Sequence, residues 1–216
     1  AKDYDGPAHH FHSAGQAGSQ CVDCHMPSRN YMVVHGRRDH AIRIPRPDLS
    51  AKLGTPNACQ DCHAERSAEW AAAAITRHLG PRSHPPHYGE ILAAARRGEA
   101  GATQSLLALT TDLAQPAIVR ATAVEALAAL GSTSVPPATL RDPDPVVRAT
   151  AAATFATRPA DERLALLPAL LSDPLRAVRI AAARGLADID EGRLTAEQRT
   201  RLHAGRGGVA RGRHDF

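Results

Sequence analysis

Three observations predict a mainly α fold in two parts, a loop-rich amino-terminal module and a helical solenoid after it. Hydrophobic residues make up 43% of the chain but aromatics only 3%, which favours helices packed on small side chains over a sheet core. Ten of the 12 histidines lie between His9 and His87, with all four cysteines among them. Beyond Pro116 a pattern of arginine and apolar residues recurs at offsets of 28 and 31 residues. The expected boundaries are 1–80 for the module, 81–204 for the repeats and 205–216 for a glycine/arginine-rich tail, read as a flexible terminus.

The module carries prolines at 45, 47, 56, 81, 85 and 86, and weak apolar periodicity. One helix is expected over Arg66–Leu79, closed by Gly80-Pro81. Such a segment buries too little of its own side chains to fold well alone. Its chemistry lies in Cys21-Val-Asp-Cys-His25 and Cys59-Gln-Asp-Cys-His63, two copies of C-x-x-C-H. That pattern anchors c-type haem. Thiols three residues apart share one face of a helical turn, where each can form a thioether with a haem vinyl group. The histidine that follows is held under the iron. The expectation is two covalently bound haems c on Cys21, Cys24, Cys59 and Cys62, with His25 and His63 as proximal ligands.

A four-cysteine zinc site is the rival. Here 34 residues separate Cys24 from Cys59, beyond the usual spacing of roughly 15–20. Zinc also leaves both histidines without a role. A thioredoxin-like pair would need a strand–helix–strand setting that the sequence lacks, and disulfides do not explain the histidines.

The repeats read differently. Val119, Ala123 and Leu127 stand at i, i+4 and i+8, as do Val147, Ala151 and Phe155, and Val178, Ala182 and Leu186. Each set makes one apolar stripe on a helix. Asp142 and Asp173 are the expected N-caps, with Pro143 and Pro174 at the first helical position. Partner helices are expected over Thr103–Leu113, Val135–Leu140 and Asp161–Leu171. Units of this kind bury their stripes only by stacking on one another.

Two resemblances follow from these residues. The pattern D-P-x-x-x-V-R-x-x-A-x-x-x-L in the second and third copies resembles short HEAT-like repeats over about residues 101–190, with Ala114 and Phe155 as departures. The stretch Asp3–Glu65 resembles a group of multihaem cytochromes c. It carries Asp3-Tyr-Asp-Gly-Pro-Ala-His9-His-Phe-His12, Cys21–His25-Met-Pro, Arg37-Arg-Asp-His40, Pro45-Arg-Pro-Asp-Leu-Ser50 and Gly54-Thr-Pro-Asn-Ala-Cys59 in that group's order. The group is similar to the cytochrome c554 and ammonia-forming nitrite reductase lineage, in which helical repeats are often appended. The larger relatives have further haem motifs, and the reductases a C-x-x-C-Lys site that this chain lacks. The resemblance therefore implies electron transfer and not catalysis.

Each iron needs a sixth ligand. Histidines are plentiful, whereas Met26 is badly placed and Met32 sits in an apolar setting, so bis-histidine ligation is expected. His40 is the leading distal candidate, after Arg37 and Arg38, whose guanidiniums are expected on haem propionates. The cluster His9-His10-Phe11-His12 is expected to supply the second ligand, with His12 and His10 preferred within it, since residues two apart point the same way in an extended chain. His35, His78, His84 and His87 are surplus, as surface groups or as ligands to a neighbouring subunit's haem.

The expected function is outer-sphere electron transfer through two low-spin haems in a non-enzymatic carrier. Redox proteins are its expected partners, and copies joining into a homo-oligomer or filament the sharper expectation. The alternatives are a small reductase with an open haem, and a haem sensor or adaptor binding through the repeats. Formal charge is +4 with a pI of 9.2, but the few aromatics exclude a stacking surface for nucleic acid. No apolar run approaches the ~20 residues of a membrane span. Covalent haem attachment implies export, so a periplasmic or extracellular location is expected, with the signal peptide absent from this chain.

Overall fold

A computed structural model of the chain describes residues 4–131 and 135–211, with side chains through residue 205. The fold is mainly helical. It divides into two compact units between His87 and Tyr88, against the boundary at 80/81 read from composition.

The first unit opens with helix α1 (Pro7–His10), started by Pro7 and ended by Phe11 in the left-handed conformation (φ 59°). Helix α2 (Cys21–His25) is the first C-x-x-C-H itself. Strands β1 (Ser28–Tyr31) and β2 (His35–Arg38) pair antiparallel, Ser28 opposite Arg38 and Tyr31 opposite His35. All their residues are exposed, so no apolar alternation announces the hairpin. Met32 and Val33 turn it at φ 48° and 71°, a conformation that costs about 1–2 kcal/mol per non-glycine residue.

Helix α3 (Pro47–Leu53) follows, and the 3₁₀ turn Ala58–Asp61 carries Cys59. Asn57 caps that turn, accepting the Gln60 N–H and donating to Gln60 Oε1 at 2.8 Å. Helix α4 (Ala68–Leu79) packs on α3 and is capped by Ser67, which accepts the Trp70 N–H. Among the described residues of this unit only Leu49 and Ala71 are buried hydrophobic side chains. Tyr4, Tyr31, Met32, Val33, Val34, Ile42 and Ile44 stand exposed. The unit has almost no core of its own.

The second unit comprises helices α5 (Tyr88–Arg96), α6 (Ala102–Thr111), α7 (Ala117–Leu130), α8 (Pro145–Phe155), α9 (Ala160–Leu166), α10 (Arg176–Gly185) and α11 (Ala196–Arg211). Helices α7, α8 and α10 stack in order, flanked by α6 and α11. Their stripes (Val119, Ala123 and Leu127; Val147, Ala151 and Phe155; Val178, Ala182 and Leu186) are at most 5% exposed. Burying each large apolar side chain contributes about 1.5–3 kcal/mol. Gly185 lets α10 come close: a Cβ there would lie 2.6 Å from Leu167 Cδ1 and 3.3 Å from Ala156 Cβ.

Several expected elements differ. The partner helix Asp161–Leu171 is split, because Pro168 has no N–H to continue it and starts a 3₁₀ turn to Ser172. Val135–Leu140 gives way to a 3₁₀ turn over Pro137–Arg141. Helix α11 runs through Arg211, so the glycine/arginine stretch expected to be a flexible tail is helical that far. The rest of it, with His214, lies outside the described residues.

Asp142 and Asp173 do not cap helices. Asp144 caps α8, accepting the Val146 N–H at 2.8 Å, and Leu175 precedes α10. The two aspartates instead receive the guanidinium of the copy before. Arg120 donates to Asp142 from Nη2 at 2.8 Å and Nε at 3.3 Å, and Arg148 to Asp173 from Nε at 2.8 Å and Nη2 at 3.1 Å. Each carboxylate also accepts the N–H two residues on, from Asp144 and Leu175, both at 2.8 Å. No helix among the described residues is long and apolar enough to cross a membrane.

Candidate functional site

The two C-x-x-C-H motifs lie side by side in the first unit, α2 against the 3₁₀ turn Ala58–Asp61. Burial, and then the neighbouring Cys59 thiol, push the Cys24 thiol up from its ordinary value. Burial does the same to Cys59. The hairpin holds both motifs. Arg38 Nη1 donates to the Val22 and Met26 carbonyls at 3.2 and 3.1 Å, adding to the Met26 N–H bond that Val22 already accepts and lying at the negative end of α2. From the opposite strand Arg29 Nη1 reaches both Asp61 oxygens, at 2.8 and 2.7 Å.

Around the motifs, imidazoles face one another. The His9 and His25 rings have centres 6.1 Å apart and planes 4° from parallel. The His12 and His63 rings also have centres 6.1 Å apart, at 34°. A direct ring stack in the same unit, Phe11 on His78, brings centres to 4.1 Å. The 6.1 Å centre spacing matches the length of two metal–nitrogen bonds of about 2 Å each plus the nitrogen-to-centre distance in both rings, about 6 Å in all.

The nitrogens are sorted by hydrogen bonding. His25 Nδ1 lies 2.8 Å from the Arg43 carbonyl. A carbonyl only accepts, so Nδ1 carries the proton and Nε2 keeps its lone pair for a metal. His12 Nδ1 meets the His10 carbonyl in the same way. Gly18 lies against the His12 ring. A Cβ there would be 2.9 Å from Nε2, 3.0 Å from Cδ2 and 3.1 Å from Cε1. Such even distances put it over the ring face, off the axis of the Nε2 lone pair. Trp70 flanks His63 with centres 4.9 Å apart.

These observations test the fit of a covalently bound haem. All four cysteines have free thiols, each motif histidine has an opposed imidazole, and the unit exposes apolar side chains where a core would be. The donor set suits the group. Among the described residues no three His, Cys, Asp or Glu side chains gather as a metal cage.

The distal candidates fare unequally. His12 faces His63, but His9, not preferred within its cluster, faces His25. His40 is exposed and no ring pairing joins it to either motif histidine among the described residues. His10 Nδ1 accepts the His12 backbone N–H at 3.2 Å. The extended geometry that paired His10 with His12 does not hold. Residues 7–10 form a helical turn, and Phe11 ends it in the left-handed conformation before His12. Pro7 after Gly6 was the available signal of that turn. Arg37 lies over the Tyr31 ring at 5.2 Å and Arg38 is engaged with α2, so both expected propionate contacts have other partners here. Arg29 was legible only as a charge.

The family model described as cytochrome c552 matches residues 7–129, more than half of the chain. The chain belongs to the cytochrome c552 family. As a c-type cytochrome it carries covalently bound haem c and acts in electron transfer. A HEAT-repeat model matches residues 137–204, so the first helical copy, around α7, falls within the cytochrome match. No curated protein and no solved structure matches the chain.

Proposed function

We propose that this cytochrome is an exported, non-enzymatic electron carrier with two haems c, one between His25 and His9 and the other between His63 and His12. The observation that carries the reading is the pair of facing imidazole couples with one common spacing, 6.1 Å between centres. When bound, the haems supply reversible one-electron exchange.

The chain's own residues do the rest. Cys21 and Cys24, and Cys59 and Cys62, tether a cofactor to a unit too poor in buried side chains to retain it otherwise. The Arg43 and His10 carbonyls orient His25 and His12 and raise their basicity as ligands. Two histidine ligands favour a low potential over the higher one that methionine gives. A histidine on each side leaves no position for a reactant, which favours a carrier over a reductase, as does the lack of a C-x-x-C-Lys motif. Thioether attachment supports a periplasmic or extracellular location, and the order of motifs supports kinship with the cytochrome c554 and nitrite reductase lineage. Redox proteins are the partners, and exposed His35, His40 and His84 support copies joined through ligation of a neighbour's haem.

The mass of the unfolded polypeptide should exceed that of its amino acids by two haems, and the folded protein should not bind carbon monoxide. A single added haem, or stoichiometric carbon monoxide binding by the unmodified protein, would overturn the proposal.

A further inference from the structure

Each copy of the helical repeat handles its arginine alike. One arm grips carbonyls at the start of its own helix: Arg148 Nη1 bonds Asp142 and Pro143 O, and Arg179 Nη1 bonds Asp173 and Pro174 O at 2.7 and 2.9 Å. The other arm of Arg120 and Arg148 takes the next copy's aspartate. For Arg179 that rung is missing. Six residues before Arg199, where Asp142 and Asp173 stand before Arg148 and Arg179, the chain has Arg193. Nearby acids are committed elsewhere: Asp188 takes the Arg163 fork at 2.6 and 2.9 Å, Glu191 pairs with His203, and Glu197 with Arg201. Asp190 caps its own turn, accepting the Gly192 N–H. Among the described residues Arg179 Nε and Nη2 meet no carboxylate.

A cavity of about 270 Å³ opens at this point between α10 and α11, lined by Arg176, Arg179 and Arg201 above apolar Leu171 and Ile180. We infer that this cavity is a carboxylate-binding site whose ligand is an aspartate side chain of a second copy of the chain. The chain twice builds such a rung for itself, with a guanidinium fork on one side and an aspartate closing an N–H two residues on. A planar fork suits a carboxylate better than a point charge does. That copy has a matching aspartate. Asp112, exposed at the other end of the array, accepts the Ala114 N–H at 3.0 Å in the same turn. Among the described residues no arginine reaches it.

The test titrates the full chain with acetyl-Asp-Pro-Leu-amide, the sequence of the rung at residues 173–175, and follows amide NMR shifts. The expected result is saturable shifts confined to α10 and α11, absent with the asparagine tripeptide. Arg179→Gln should weaken binding about tenfold to a hundredfold, the range of a charge-assisted bidentate bond. Arg201→Gln, on an exposed side chain, should weaken it several-fold and covers the case in which the first variant folds poorly. Sedimentation tests the source: self-association lost in both Arg179→Gln and Asp112→Asn is the expected result, and a chain that stays monomeric at concentrations where it binds the tripeptide would overturn the second copy as the ligand. No shifts, equal shifts with the asparagine tripeptide, or unchanged affinity in both arginine variants would overturn it.

Discussion

Replacing Gly18 with alanine tests the proposed pairing of His12 with His63 at a residue that lies against the His12 ring face. The added methyl would stand 2.9 Å from His12 Nε2 and 3.0 Å from Cδ2, about half an ångström inside the ordinary carbon contact distance of roughly 3.5 Å. Gly18 has φ 84°, so alanine also meets the left-handed cost of about 1–2 kcal/mol. Either the ring or the 15–19 loop must give way. The His12 ring is tied to its own turn through the His10 carbonyl, so the ring and the loop share the displacement. The expected outcome is a melting temperature lowered in line with 1–2 kcal/mol. A fraction of molecules should also bind one carbon monoxide per chain, with the optical change seen in full for His12→Ala. Absorption spectroscopy under carbon monoxide, read beside a thermal melt, measures both. A variant that loses stability yet stays inert to carbon monoxide, while His12→Ala does not, would refute the placement of Gly18 on a ligand's face.

Other outcomes follow from the same geometry. His9→Ala should open one site per chain and the His9/His12 double alanine variant two, whereas His40→Ala should leave the spectrum unchanged; carbon monoxide titration counts the sites. Asp142→Asn leaves the Arg120 guanidinium, 6% exposed as a side chain, without its counter-ion and should cost about 3–5 kcal/mol in denaturant unfolding. Phe155→Ala empties the centre of the repeat core and should cost about 3–5 kcal/mol by the same assay. Burial pushes the Asp173 carboxyl up, but the Arg148 guanidinium and the Leu175 N–H outweigh it and hold the group below its ordinary 3.8. Its contribution is therefore present above pH 3.8 and lost as pH falls through the lower native value. Unfolding midpoints between pH 2 and 5 should drop more steeply for the unmodified protein than for Asp173→Asn.

The repeat region was the more readable part. A stripe at i, i+4 and i+8 is a property of helix geometry, so nine buried positions followed from spacing alone. The aspartates were less readable. Asp followed by Pro has the composition of an N-cap, and only the stacking of one copy on the next reveals that Asp142 and Asp173 face Arg120 and Arg148 across more than 20 residues of chain. In the first unit the motif cysteines and histidines stood out by covalent spacing. The distal side did not, because choosing among His9, His10, His12 and His40 requires the path of the backbone. A helical turn and a left-handed Phe11 set His9 opposite His25 and His12 opposite His63, where an extended reading selects His10 and His12. The hairpin left no signature either, since every strand residue is exposed and its work is done by two arginines.

Local chemistry was set in the chain itself: two C-x-x-C-H segments whose thiols and imidazole suit one cofactor, and apolar stripes that must find neighbours. These depend on residues a few positions apart, where peptide geometry leaves little choice. Tertiary structure decided which imidazole opposes which, which carboxylate meets which guanidinium, and that among the described residues the Arg179 fork meets no carboxylate. Those outcomes depend on segments far apart in sequence meeting within a few ångströms, a distance that no spacing along the chain encodes.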